Sequence, residues 1–130
     1  MNKLLLTLVL TFISTSAMAE WDLVTTSEDG DLKVYADPSS IRKTDNSVRM
    51  SVIYDYSTVK DSAGDKYLSQ KYLTEHDCKD NRSRVLTVTM FSGIMLTGDV
   101  VFTIESPFSW MDVVPNSIGE STWKIACGIK

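Results

Sequence analysis

Apolar and polar residues alternate along most of the chain, and this pattern predicts β-strands. Between residues 31 and 37, Leu32, Val34 and Ala36 fall on one face, while charged residues fall on the other. Pro38 is expected to end this strand. Further on, every second residue from Val48 to Tyr56 is apolar or aromatic, as in a strand covered on one face. Together with segments 66–78, 82–91 and 100–104, these strands predict an antiparallel meander of about six strands.

The end of the chain has a helical period instead. Apolar and small residues recur there at helical spacing: Ile118, Thr122, Ile125 and Ala126. Asn116 or Ser117 can cap the free N–H groups at the start, with Glu120 in the position of a capping box. The predicted fold class is therefore α+β, an antiparallel sheet with a short C-terminal helix packed on one face.

The first 19 residues have the layout of a signal peptide. One positive charge at Lys3 precedes an apolar run over 4–13, and Ala17-Met18-Ala19 supplies the small residues of a cleavage site. The alternative is a retained membrane anchor, but a spanning helix needs about 20 apolar residues. We therefore expect a signal peptide at 1–19 and one mature domain at 20–130.

The start of the mature chain bears on where the protein resides. No cysteine lies close to Glu20-Trp21, so acylation as a lipoprotein is not expected. We expect a protein exported through the inner membrane to the periplasm, with secretion or surface association as the other destinations. An integral membrane protein is not expected.

The mature domain is acidic. The whole chain has 13 Lys and Arg against 17 Asp and Glu, and losing Lys3 leaves 12 against 17, a net charge of −5. Negative charge disfavours nucleic acid as a partner and suits a basic protein.

Both cysteines, Cys78 and Cys127, lie in the exported part of the chain. The compartment is oxidising, and an even count normally indicates a disulfide. A bridge would close a loop of 50 residues, which chain entropy values at about 4 kcal/mol. A metal pair or an intermolecular bridge are the alternatives, although zinc prefers four ligands and the chain has one histidine.

No residue pattern indicates catalysis, a metal or a cofactor. His76 stands between Glu75 and Asp77, but in a strand it faces away from both, so we expect a structural histidine. The chain has no Gly-x-Ser-x-Gly turn and no phosphate-binding lysine loop. Its aspartates lack calcium-loop spacing. We expect neither an enzyme nor a cofactor.

A set of short markers resembles a known family. In order, they are Trp21, the stretch Tyr35-Ala36-Asp37-Pro38-Ser39-Ser40-Ile41, the pair Asp77-Cys78 followed by Arg82 and Arg84, Trp110 leading to Pro115, and Cys127. With their position after a signal peptide, they resemble the surface-adhesin protein E-like domains of Gram-negative bacteria. The resemblance implies a curved antiparallel sheet with a C-terminal helix held on it by the disulfide.

The resemblance also implies a binding role. Characterised relatives attach to host extracellular-matrix or plasma proteins, and one related adhesin-complex type inhibits lysozyme. Our leading hypothesis is a non-enzymatic, adhesin-like envelope protein that recognises such a host protein. The second hypothesis is a periplasmic inhibitor of a cell-wall hydrolase such as lysozyme, with an acidic loop around Asp61 and Asp65 entering the enzyme's cleft.

Aromatic residues are the first candidates for the binding surface. Seven of them exceed what one covered face needs: Trp21, Tyr35, Tyr54, Tyr56, Phe108, Trp110 and Trp123. Phe108, Trp110 and Met111 fall in a predicted loop, and exposed aromatics commonly anchor protein interfaces. The alternative is that the aromatics cover the open face of the sheet. Free sheet edges also favour self-association, so a homodimer is a further expectation.

Overall fold

Seven strands and one helix follow each other along the chain in the computed structural model, which describes residues 20–105 and 107–130. The predicted signal peptide at 1–19 lies outside the described residues. The strands are β1 (Asp22–Thr26), β2 (Leu32–Lys43), β3 (Val48–Ser62), β4 (Asp65–Asp77), β5 (Arg82–Phe91), β6 (Val100–Ile104) and β7 (Met111–Asp112), and the helix is α1 (Ile118–Cys127). The strands form one antiparallel sheet in the order β1-β2-β3-β4-β5-β6, with β7 also paired to β5. The α+β meander is thus confirmed.

One prediction about the strands was wrong. Pro38 does not end β2, which continues to Lys43 through an irregularity between Asp37 and Arg42. The Asp37 carboxylate accepts from the backbone N–H of Ser39, at 3.0 Å, and from its hydroxyl. These hydrogen bonds satisfy polar groups of Ser39 that have no partner on the neighbouring strand. The strand can therefore continue beyond the proline.

The helix covers one face of the sheet, which we call the helix face. Val34, Ala36, Met50 and Val52 project from it and form a core cluster with Ala126 of the helix. The alternation of β2 and β3 produced this face, as the sequence pattern predicted. The opposite face, called the outer face, carries the residues between them, among them Arg49 and Ile53.

The helix is fixed at both ends. Ser117 caps the start by accepting the backbone N–H of Glu120 at 3.1 Å. Gly128 closes the end with φ of 68°, a left-handed conformation that glycine adopts without steric cost. The predicted disulfide links Cys78 to Cys127 with an S–S distance of 2.07 Å. It ties the last helical residue to the end of β4.

A tight turn folds over part of the outer face. Residues 94–97 close the turn, with φ of 47° at Met95 and 63° at Leu96. The N–H of Met95 donates to Asp55 Oδ1 at 2.7 Å, and that of Leu96 donates to Ser69 Oγ at 2.9 Å. Ile53, which faces this side, is fully buried. The outer face is therefore covered by the turn at one end and more open at the other.

Candidate protein-binding surface

The helix leaves part of its own sheet face uncovered. It packs against β1 to β4, and between its first turn, β5 and residues 108–114 lies a groove of about 350 Å³. We call this the helix-side groove. Its walls are mainly apolar, and its apolar and aromatic residues are Tyr54, Val85, Phe108, Met111, Val113 and Val114. Such a concave apolar surface is the kind that receives side chains of a partner.

Two of the three predicted binding residues lie in this groove. Phe108 is 44% exposed and Met111 is 72% exposed, and both line it. Met111 pairs directly with Ser83, so the two side chains share the helix face. The structure therefore brings Phe108 and Met111 together at the mouth of one groove.

Trp110 lies on the other side of the sheet. One residue from Met111, it projects to the outer face, where its ring stands 4.8 Å from the Arg82 guanidinium carbon and 4.6 Å from that of Arg84. Cation–π contact with two arginines holds the indole against β5. No sequence pattern indicates this separation, because β7 has only two residues, Met111 and Asp112, too few to show an alternation.

Backbone hydrogen bonds hold the groove wall in place. The N–H of Phe108 donates to the carbonyl of Val85 at 2.8 Å, and that of Val113 donates to Asn81 at 2.9 Å. The hydroxyl of Ser117 donates to the carbonyl of Val114 at 2.6 Å. A wall fixed this way presents exposed apolar side chains at a low cost in conformational entropy on binding.

The groove floor contains the only histidine of the chain. His76 is 1% exposed, with Nε2 2.8 Å from Thr74 Oγ1 and Nδ1 2.7 Å from Ser83 Oγ. Thr74 itself donates to the carbonyl of Met50, so it accepts from Nε2–H and Ser83 donates to Nδ1. Burial lowers the pKa of His76 to about 4, against an opposing effect of Glu75. The ring is neutral and links β4 to β5 through its hydrogen bonds.

Tyrosines extend the groove along the sheet. The rings of Tyr54 and Tyr72 pack with centroids 4.7 Å apart and planes tilted by 58°, and Tyr56 meets Tyr67 edge-on at 6.0 Å. Burial, then the neighbouring Tyr67, raises the pKa of Tyr56 to about 12. The Tyr56 phenol thus stays protonated and can donate a hydrogen bond at any physiological pH. Among these four, only Tyr54 and Tyr56 were singled out from the sequence.

Ion pairs organise the exposed end of the outer face. Glu75 accepts from Arg49 Nε at 3.2 Å and from Arg84 Nη2 at 2.8 Å, and Asp77 accepts from Arg82 Nε at 3.0 Å. Burial would raise the pKa of Glu75, but hydrogen bonds from Arg84 and Arg49 outweigh it and hold the pKa below its usual value. Glu75 is therefore ionised between two arginines.

Within residues 20–105 and 107–130, no group of three or more His, Cys, Asp or Glu side chains is arranged to hold a metal ion. Over the same residues, no helix has the length and apolar character to cross a membrane.

Comparison with known proteins assigns the family. Residues 21–128 match the family model described as surface-adhesin protein E. The chain belongs to the surface-adhesin protein E family. The predicted resemblance is thereby confirmed, and membership makes this an adhesin-like surface protein. A search of the curated proteins finds no match.

Solved structures of protein E share the fold. The selenomethionine form of Haemophilus influenzae protein E superposes with a TM-score of 0.63 at 10% identity, covering 88% of this chain and 90% of that one. Crystal form II of Haemophilus influenzae protein E gives 0.58 at 10% identity, covering 85% and 97%. At this identity the likeness concerns the fold, and side-chain contacts must be argued from this chain's own residues.

Proposed function

We propose that this adhesin-like protein is a non-enzymatic binding protein that attaches to a host matrix or plasma protein through the helix-side groove. The observation that carries the proposal is the pair of exposed apolar side chains, Phe108 and Met111, beside an apolar groove with a hydrogen-bonded wall. Exposed apolar side chains around a rigid concavity are typical of interface hot spots.

The groove would form the centre of a larger contact. A volume of about 350 Å³ receives one or two side chains of a partner, whereas a stable interface buries about 800 Å² on each side. Val114 and Phe102 supply further exposed apolar surface, and Phe102 pairs with Met90 on the helix face. We infer that a partner would cover this side of the sheet around the groove.

The proposed location follows from the N-terminal sequence. Residues 1–19 would direct export, leaving a domain of residues 20–130 that reaches the periplasm and acts there, at the surface or after release. The mature start has no cysteine to acylate, so we propose attachment to the cell by some means other than a lipid.

The hydrolase-inhibitor hypothesis receives less support from the geometry. Its acidic loop is the tip of the β3–β4 hairpin, where Asp61 and Asp65 pair with Lys66 and Ser62. Lys60 lies beside them but is bound to Asp31 at 2.6 Å, so with Asp31 the tip has three aspartates against two lysines. A tip with a single net negative charge gains little electrostatic steering toward a basic enzyme.

A capture experiment separates the two hypotheses. The oxidised mature domain is immobilised and exposed to host serum and to extracellular-matrix extract, with hen and human lysozyme as separate samples at low and high salt. We expect saturable binding of a matrix or plasma protein, identified by mass spectrometry and repeated with the purified partner. Salt-sensitive binding of lysozyme with loss of its activity would favour the inhibitor.

Matched variants test the groove itself. The double variant Phe108→Ser/Met111→Ser removes exposed side chains and should weaken binding of the purified partner at least tenfold. Leu23→Ser/Ile94→Ser removes similarly exposed apolar residues elsewhere and should bind within twofold of the wild type. Equal affinities for all three proteins would contradict the groove as the binding site.

A further inference from the structure

The outer face collects every arginine of the chain. Strand pairing sets Arg42 opposite Arg49, Arg49 opposite Glu75, and Glu75 opposite Arg84. Paired residues share a face, so these side chains form a row across β2, β3, β4 and β5. Arg82 lies two residues before Arg84 on the same face. We call the four residues Arg42, Arg49, Arg82 and Arg84 the arginine row.

This row gathers the guanidinium groups of an acidic molecule on one face. The chain has a net charge of −4, whereas in and beside the row four arginines meet four carboxylates, those of Asp37, Glu75, Asp77 and Asp112. Glu75 and Asp77 lie within ion pairs. Asp37 is buried and accepts from Ser39. The region is therefore neutral on an acidic molecule, and all its guanidinium groups lie on one side of the sheet.

Stability does not explain the direct pairing of Arg42 with Arg49, because like charges directly opposite on neighbouring strands are destabilising. Arg42 makes no ion pair within the described part of the chain and donates instead to the carbonyls of Ser39 and Ile41. Residues that lower the stability of the fold, as this pair of arginines does, are expected at sites that function requires.

The arginines also retain donors. Arg49 and Arg82 use Nε for their carboxylates, and their side chains are 47% and 41% exposed. Their terminal nitrogens make no side-chain hydrogen bond with the other described residues. A guanidinium fork with free N–H groups binds sulfate, phosphate or carboxylate in a bidentate manner.

We propose that the arginine row binds a linear sulfated polysaccharide. From Arg42 to Arg84 the row crosses three strand spacings, about 14 Å, enough for several sulfate groups along one chain. The four strands beneath it are paired with neighbours on the sheet, so a peptide would find no free main-chain groups there. A polysaccharide needs no main-chain hydrogen bonds, because the arginines can bind its sulfate groups directly. The site lies on the opposite face from the helix-side groove, and Arg84 and Asp112 also border that groove.

Size-defined heparin oligosaccharides are the probe for this site. Binding of the oxidised mature domain to a heparin octasaccharide is measured by calorimetry at 50 and 150 mM NaCl. Arg42→Gln/Arg49→Gln should weaken binding at least tenfold at 50 mM and flatten its salt dependence, because fewer counterions are released. The charge-matched control Lys66→Gln/Lys130→Gln should bind within twofold of wild type. Unchanged thermal midpoints show that the variants are folded.

Three results would overturn the proposal. The wild type could fail to bind heparin at 50 mM NaCl, or the arginine and lysine variants could lose affinity equally. Poly-glutamate could also bind as tightly as heparin with the same dependence on Arg42 and Arg49, which would assign the face to acidic peptides. Phe108→Ser/Met111→Ser should leave heparin binding intact, so this test stands apart from that of the groove.

Discussion

His76 shows how one residue combines structure with a pH response. Its ring bridges Thr74 and Ser83 across β4 and β5 while almost fully buried. The sequence predicted a structural histidine from the strand alternation alone. It did not indicate which hydroxyl groups would hydrogen-bond to the ring. Ser83 lies on the next strand, and its position beside His76 depends on how β4 and β5 pair.

We predict that the domain loses stability in acid through His76. The folded pKa of about 4 lies below the unfolded value of about 6.5, so the unfolded state binds the extra proton first as pH falls. The contribution of His76 to the free energy of unfolding is fully present above pH 6.5. It should decline by about 2 kcal/mol by pH 5. Urea unfolding at several pH values measures this. His76→Gln should be less stable at pH 7 but nearly flat from pH 7 to 5, and an equally steep decline would contradict the assignment.

Ala63 is strained at the tip of the β3–β4 hairpin. Ser62 pairs with Asp65, leaving Ala63 and Gly64 as a two-residue turn with φ of 51° and 93°. Such turns favour Asn-Gly, because asparagine tolerates positive φ better than alanine. Ala63→Asn should stabilise the domain by about 1 kcal/mol, seen as a rise of about 4 °C in thermal midpoint.

A control for this turn is Gly64→Ala. No atom lies within 4 Å of the added methyl group, so any loss reflects backbone strain alone. We expect a lower thermal midpoint. If Ala63→Asn also lowers the midpoint, the turn does not have the conformation described.

At the scale of elements, the sequence pattern was sufficient to predict a strand where the alternation of apolar and polar residues was long. The alternation over Leu32–Ala36 and Val48–Tyr56 and the cap at Ser117 predicted two strands and the helix. The extension of β2 past Pro38 was missed, because it depends on the bonds that Asp37 makes to Ser39. The turn at 94–97 depends on anchors far along the chain, Asp55 and Ser69, so no local pattern indicates how it folds over the sheet.

The disulfide should contribute strongly to holding the helix on the sheet. Cys78 and Cys127 are 49 residues apart in sequence, and the loop-closure model gives about 4 kcal/mol. Guanidinium unfolding with and without reductant should show a loss of about this size. The stability of Cys78→Ala/Cys127→Ala should equal that of the reduced wild type and should not change when reductant is added. Equal stability of oxidised and reduced protein would contradict this contribution.

On the scale of the whole molecule, the sheet has two different surfaces. The helix face ends in an apolar groove, and the outer face carries the arginine row with Trp110. From the sequence we placed Phe108, Trp110 and Met111 on one surface, because the segment was interpreted as a loop. The pairing of Met111 with Ser83 divides them, and this register became visible only once the fold positioned β7 beside β5.

Self-association stays a prediction. The sheet is open, and at one edge β5 pairs with two short strands, β6 and β7, rather than with one continuous strand. Interrupted edges oppose strand-to-strand addition. The homodimer expected from free edges would therefore be more readily formed at β1.

The most direct test of the groove is amide hydrogen exchange of the mature domain, alone and saturated with the matrix or plasma protein it captures. We expect slowed exchange over residues 107–117 and the start of the helix, with little change at the hairpin tip near Ala63. Protection confined to that tip or to the arginine row, with none at 107–117, would contradict the groove as the binding surface.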